Sequence, residues 1–206
     1  IIEKLKQQVT IVYYGVEDIK IEQIPIPTLR ETEILVKIEA CAVCGTDLKS
    51  FKYGNNRIKA PIVMGHEFSG IVEKIGEKVA GFELDDKIVM ATSISCGECF
   101  YCNKGLTNLC LKLAPMGFSF AGGMAEYMIV PELAINNGHV VKVPQNIRPE
   151  HASMAEPLSC AINACLNSNI QQEDTVVVLG AGPMGLMNVA VARAMGASKI
   201  ILSEIN

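Results

Sequence analysis

One of the three histidines, His66, is followed at once by a carboxylate in the run Pro61-Ile62-Val63-Met64-Gly65-His66-Glu67-Phe68-Ser69-Gly70. An imidazole beside a carboxylate suits a borderline metal ion such as zinc. The apolar residues before the pair read as buried backbone, so it leaves a rigid element rather than a loose loop. Upstream, Cys44-Gly45-Thr46-Asp47 offers a thiolate, with Gly45 expected to let the chain turn tightly beside the sulfur. Cys44, His66 and Glu67 would give three protein ligands and leave one coordination position open, as in a catalytic site. Taken alone, a His-Glu pair is more often a core histidine beside a surface glutamate.

Two further constellations change that balance. Cys96-x-x-Cys99-x-x-Cys102-x₇-Cys110 places four thiols at metal-ligand spacing. Four thiolates suit a closed tetrahedral zinc site, and short cysteine runs also hold iron–sulfur clusters. The second constellation is Gly180-Ala181-Gly182-Pro183-Met184-Gly185, which follows a strand-like run and opens a helical one. Gly180, Gly182 and Gly185 permit a tight turn and close approach of a pyrophosphate to the helix N-terminus, with Pro183 and Met184 in its first turn. Glu204 follows roughly twenty residues on, where a carboxylate accepts from ribose hydroxyls and repels a 2′-phosphate. That position predicts NAD rather than NADP.

In register along the chain, Gly65-His66-Glu67-x-x-Gly70 with Gly76 and Val79, the Cys44 motif, the 96–110 cysteines and the 180–185 glycines resemble the medium-chain dehydrogenase/reductase family. The resemblance is to its zinc alcohol and polyol dehydrogenases and covers essentially the whole chain. It implies a β-rich GroES-like barrel followed by the start of an α/β Rossmann dinucleotide-binding domain, broken off after its second strand. It favours structural zinc for Cys96, Cys99, Cys102 and Cys110, and catalytic zinc on Cys44 and His66, with Glu67 and Glu156 bound directly or through water. Glu156-Pro157-Leu158-Ser159 matches a segment that carries cysteine in simple alcohol dehydrogenases and glutamate in polyol and threonine dehydrogenases. The resemblance also implies that Asp47 orients the histidine and that Thr46 meets the substrate hydroxyl. The histidine that often continues the proton relay is replaced by Lys49.

The elements that must position these groups are short strands. Thr10–Tyr14 and Ile19–Ile24 read as strands joined near Gly15, and Pro25 and Pro27 stop the pairing. Glu33–Ala40 alternates, with Ile34, Val36, Ile38 and Ala40 on one face, and delivers Cys44 just past its end. Phe68–Ile75, Lys87–Ala91, Met124–Val130 and His139–Val143 continue the series, which indicates an all-β barrel or sandwich. After Pro149 the pattern changes. Pro149–Ala155 and Pro157–Asn167 read as helices opened by proline, with Glu156 projecting from a non-helical corner between them. Thr175–Leu179 reads as a buried strand, then a helix runs to Met195 with Gly196 as its cap, then a strand over Lys199–Ser203. The domains expected are 1–155, catalytic, and 156–206, a partial dinucleotide-binding domain.

Composition narrows the class. Half of the 206 residues are apolar, and a net charge of −4 argues against a nucleic-acid partner. Thr175 to Ala192 carries no charge, but its glycines and Pro183 break the run as a strand–turn–helix does, so no membrane span is expected. Of the eight cysteines, four clustered at ligand spacing point to a reducing, cytoplasmic setting, and Cys41, Cys160 and Cys165 read as core residues. The function expected is hydride transfer between a secondary alcohol, a polyol or threonine, and NAD, by a dimer or tetramer when full length. A primary alcohol dehydrogenase and a non-catalytic GroES-like zinc module are the alternatives. The chain opens without methionine and stops at Asn206 after two strands of a fold that needs two halves. It therefore reads as a fragment, expected to be inactive alone.

Overall fold

The computed structural model describes residues 6–205, which fall into two compact units parting between Met154 and Ala155. Of the polar opening segment, residues 1–5 lie outside the described residues.

In the first unit β1 (Gln7–Gly15) and β2 (Asp18–Pro25) form an antiparallel hairpin. β3 (Ile34–Ala42) then leads into α1 (Gly45–Tyr53), a helix that hydrophobic periodicity does not announce. β4 (Ile62–Val63) pairs with β1, and β5 (Glu67–Ile75) pairs with both β3 and β6 (Lys87–Met90). Next come the paired short strands β7 (Ser93–Ile94) and β8 (Ala114–Pro115), then β9 (Tyr127–Val130). α2 (Glu132–Asn136), β10 (Val140–Lys142) and α3 (Pro149–Ala152) complete the unit. Its main sheet has the order β10-β6-β5-β3-β9, beside a smaller sheet β2-β1-β4.

The expected strands are present, with shifted ends. The ladder expected from Met124 begins only at Tyr127, Ala125 making a lone bridge to Thr10. Ile34 and Val36 are buried as the alternation requires, but Leu35 on the opposite face is buried as well. Phe68, Val72, Ile88, Met90, Met116 and Met128 close one apolar core around them. The segment 122–124 runs alongside 63–65, with Gly122, Gly123 and Met124 N–H groups donating to the carbonyls of Val63, Gly65 and Met64 at 2.8–2.9 Å. A side chain at Gly122 would collide with the carbonyl oxygens of Met64 and Gly65, so this close approach requires glycine.

The second unit is a β–α–β unit preceded by a helix: α4 (Ala155–Asn167), β11 (Thr175–Leu179), α5 (Pro183–Ala194) and β12 (Lys199–Ser203). β11 and β12 pair in parallel, Thr175 opposite Lys199. Two expectations are corrected here. Glu156 is not at a non-helical corner; it lies in the first turn of α4, and the preceding helix stops early, at Ala152. Proline is tolerated in a first turn because its missing N–H would have no partner there, and this outweighs the bias on the residue before it. β11 is also not buried on both faces. Val176 and Ile200 pack with Ala161, Cys165, Val191 and Ala192, while Val177 and Leu179 on the other face are 58 % and 82 % exposed. The described helices cover one face of a parallel ladder that ordinarily has both covered.

The ribbon beside Gly65 yields a stability test. Gly122→Ala should cost about 1–3 kcal/mol through overpacking, read as a lower denaturation midpoint at unchanged slope. Gly45→Ala, whose added carbon meets open space, should leave the midpoint unchanged or raise it.

Candidate active and metal sites

The register of β3 against β5 puts Ala42 opposite Glu67 and Cys41 opposite Phe68. The end of one strand and the start of the other therefore deliver Cys44, His66 and Glu67 to one place. Cys44 is the N-cap of α1. Its sulfur accepts the Thr46 N–H at 3.4 Å, and its own N–H donates to Asp47 Oδ2 at 2.9 Å. This is a capping box in which sulfur replaces the usual hydroxyl. Gly45 is thus a first-turn helix residue, and the left-handed turn that glycine would permit is not used. The far end of α1 is fixed by the Tyr13 hydroxyl, which donates to the carbonyl of buried Ser50 at 3.1 Å.

One ligand atom from each of Cys44, His66 and Glu67 lies within 4.8 Å of the others. His66 Nδ1 faces Asp47 Oδ1 at 3.6 Å, too long for a hydrogen bond, which leaves Nε2 for a ligand role. Among the described residues His66 Nδ1 is the only buried side-chain nitrogen or oxygen without a hydrogen-bond partner. A metal fits that observation, because ligation orients the ring and sharpens the Nδ1–H bond to a neighbouring carboxylate. Burial raises the pKa of Cys44 against the opposing Thr46 N–H, and burial likewise raises that of Asp47 against the opposing Cys44 N–H. Phe118 meets His66 edge-on at 5.7 Å between ring centres, and the Arg57 guanidinium lies 5.6 Å from the centre of the Phe118 ring. Sequence spacing gave no sign of Phe118; the only hint was the glycine-rich loop around it, Gly117 to Gly123.

Glu156 belongs to the second unit, with its carbonyl accepting from the Ser159 hydroxyl at 2.6 Å. Cys160, expected in the core, is instead exposed. The buried stripe of α4 is Pro157, Ala161 and Cys165, and Cys160 falls one residue off it. Cys165 is buried as expected, and burial pushes the Cys41 thiol up to about 12, that of an unreactive core residue.

The second cluster lies between β7 and β8. Sulfur separations are 3.5 Å for Cys99–Cys102, 3.9 Å for Cys96–Cys102 and 4.0 Å for Cys99–Cys110. All eight cysteines are free thiols. Four sulfurs tetrahedrally placed at about 2.3 Å from one ion would be about 3.8 Å apart. The cluster therefore has the size of a single-metal site, and a multi-iron cluster would spread its thiolates further. Backbone donors support thiolate charge: the N–H of Cys96 and Lys112 reach Cys110 Sγ at 3.2 and 3.3 Å. The Cys102 N–H and other backbone donors bring the Cys99 pKa down to about 6, whereas burial holds Cys102 at about 11.

In the second unit Gly182 caps α5 without a side-chain bond, and Pro183 occupies its first turn. A side chain at Gly185 would collide with the Gly180 carbonyl. Glu204 Oε2 accepts the Ala181 N–H at 2.7 Å, so this carboxylate already sits at the glycine turn.

Residues 30–145 match the family described as the alcohol dehydrogenase GroES-like domain. The chain is 40% identical over 187 residues to L-threonine 3-dehydrogenase of Bacillus subtilis (strain 168), covering 89% of this chain and 52% of that protein. It is 36% identical over 207 residues to D-xylulose reductase A of Aspergillus oryzae, covering 98% and 56%. Among solved structures, a zinc-binding dehydrogenase from Sinorhizobium meliloti 1021 bound to NADP superposes with a TM-score of 0.91 at 34% identity, covering 98% of this chain and 57% of that one. The chain spans about half the length of the curated relatives it matches.

The buried Asp47 gives a test with two opposite signs. Its folded pKa is raised, so its ionised form opposes folding, and that cost is fully present above the folded pKa. Asp47→Asn keeps an oxygen for the Cys44 N–H and removes the charge. Metal-free protein at neutral pH should be equally or more stable by urea titration, while metal affinity at the Cys44–His66 site falls about 10–100-fold.

Proposed function

Because the chain belongs to the alcohol dehydrogenase GroES-like domain family, we propose that it is part of a zinc- and NAD-dependent dehydrogenase of secondary alcohols, of the polyol or threonine kind. The observation that carries the reading is the cluster of half-buried Cys44 with buried His66 and Glu67, and Asp47 behind the imidazole. In this reading residues 1–155 form the catalytic domain and 156–206 part of the dinucleotide-binding domain. No helix among the described residues is long and apolar enough to cross a membrane. Free thiols throughout fit a cytoplasmic setting, and the assembly expected is a dimer or tetramer.

Cys44 and His66, with Glu67 direct or through water, would hold a zinc ion that lowers the pKa of an alcohol hydroxyl. NAD at the Gly180–Gly185 turn would accept the hydride. The chain's own groups do the rest. Thr46 presents its hydroxyl beside the Cys44 sulfur, where its Oγ orients the substrate hydroxyl and starts the proton relay, releasing its own proton to water as it takes the substrate's. Asp47, with the 3.6 Å gap to Nδ1 closed, would keep His66 in the tautomer with hydrogen on Nδ1. Phe118 covers the edge of the imidazole and keeps water from it. Glu204, turned toward Ala181, meets the ribose hydroxyls. Cys96, Cys99, Cys102 and Cys110 would hold a second zinc that shapes the loop and leaves no room for substrate.

The direct test is a screen of secondary alcohols, with sorbitol, xylitol and L-threonine among them, against the full-length polypeptide and NAD. Primary alcohols oxidised in preference would overturn the substrate class. Elemental analysis should find about two zincs per chain, and iron in their place would remove the metal reading. Cys96→Ser should loosen the 96–110 loop, whereas His66→Ala should abolish turnover and spare the fold.

Cofactor choice is tested separately. The Sinorhizobium meliloti relative is bound to NADP, but Glu204 places a negative charge where a 2′-phosphate would lie. At 4–5 Å such a pair repels by about 1–4 kcal/mol between water-like and surface-like screening, roughly 5- to 1000-fold in preference. Glu204→Ser should narrow the NAD preference toward that extent, measured as the ratio of kcat/KM for the two cofactors. An unaltered enzyme that already prefers NADP would show the reading to be wrong.

A further inference from the structure

The peptide group joining Ser95 to Cys96 is held at both ends. Its carbonyl, that of Ser95, accepts the Asn137 side-chain amide at 2.7 Å. Its N–H, that of Cys96, donates to Cys110 Sγ at 3.2 Å. In a trans peptide these two groups point in opposite directions, so the grip on the carbonyl aims the N–H at the sulfur. A carbonyl that accepts a hydrogen bond also polarises its peptide, which strengthens the N–H as a donor.

The preceding peptide, joining Ile94 to Ser95, is held as well. Buried His139 accepts the Ser95 N–H through Nε2 at 3.1 Å and lies 2.9 Å from the Ser95 hydroxyl. Its other ring nitrogen faces the backbone of Ala91. Because Nε2 accepts, the ring hydrogen is on Nδ1, where it donates to the Ala91 carbonyl. The ring is therefore fixed through both nitrogens. The backbone closes the frame: Ala91 N–H donates to the His139 carbonyl at 2.8 Å, and His139 N–H to that of Ala134 at 2.9 Å. Ala134 is fully buried in the main core. Gly97 has φ +75° and packs so closely on Asn137 that an added side-chain carbon would lie 2.5 Å from its Oδ1. Nothing in the ligand pattern of the four cysteines points to residues 137–139, which come from the turn between α2 and β10.

We propose that Asn137 and His139 are positioning residues of the four-thiolate site, transmitting the rigidity of the main sheet to Cys96 and aiming its N–H at Cys110. The inference rests on the reading of that cluster as a metal site. It explains how a loop built of two 3-10 turns, 102–104 and 107–109, keeps its first ligand in register with its last. Thiolates that accept backbone N–H bonds donate less charge to a metal and resist protonation, so loss of this bond alters both the metal's spectrum and its release.

The test uses the purified chain loaded with cobalt(II) or zinc(II). Asn137→Ala and Asn137→Asp each remove the amide donor at a half-buried position where folding is expected to survive, and His139→Phe removes the acceptor for the Ser95 N–H. Each should speed metal release to a chelator from the four-thiolate site about 10-fold or more. Release from the Cys44–His66 site should stay unchanged, and the thiolate-to-cobalt charge-transfer band should shift. His139→Gln, which retains an acceptor, should recover most of the wild-type rate. Equal acceleration at both sites would mean general loosening and overturn the assignment, as would unchanged release and spectra in the variants. A wild-type chain without any thiolate-to-cobalt band from these cysteines would instead remove the metal reading, and the inference with it.

Discussion

The chemistry of the first unit depends on one pairing, that of β3 with β5. Side chains alternate along a strand, so a slip of one residue would move every group on it to the opposite face. The register that opposes Ala42 to Glu67 brings together a helix cap and a strand start from distant parts of the sequence. It is pinned from the core side, where Ile34 and Val36 pack with Phe68 and Val72. Two irregularities, between Leu35 and Val36 and between Ile38 and Ala40, bend the ladder before it reaches the site. Bulges of this kind re-aim side chains near functional sites.

That pairing gathers groups which oppose one another without a cation. Asp47, His66 and Glu67 are buried, and Cys44 is half-buried. Desolvation penalises the charged form of a thiol or a carboxyl, and both Cys44 and Asp47 are displaced in that direction. A divalent ion would reverse the balance by pairing with the thiolate and the carboxylate together, so metal binding and folding are linked. The scaffold around the site is correspondingly stiff. Tyr13 ties down α1, and the 122–124 ribbon lies along the strand that precedes His66.

Much of this was legible in the sequence because metal ligands are specified by residue type and spacing. The four cysteines within 96–110 and the His66–Glu67 pair needed no knowledge of the fold to be found. The strands followed from alternation, although their ends moved by one to three residues, outward at the first hairpin and inward at Tyr127. α1 was not legible: Gly45–Tyr53 is short and polar, and its cap is a cysteine rather than serine or threonine. Glu156 was misplaced because a local bias against helix before proline was weighed above the freedom of a first turn. Phe118 and Asn137 were invisible for a different reason. Each acts by tertiary contact with a residue 40 or more positions away, and no local pattern encodes such a contact.

The two metal clusters solve the problem of rigidity in opposite ways. Cys44, His66 and Glu67 lie at or just beside the ends of strands that share a packed core, so the fold itself brings the ligands together. That independence allows a coordination position to stay open for chemistry. Cys96 to Cys110 lie on one loop with little apolar core of its own, and closing such a loop costs chain entropy. Four bonds to one ion can offset that cost, but only if every ligand position is used, which excludes substrate. The backbone donors on Cys110 and the grip on Ser95, by Asn137 at its carbonyl and His139 at its N–H, then act where the loop joins the sheet. It is the junction that must be stiff, because a loop ordered by its metal still needs a fixed orientation against the domain it shapes.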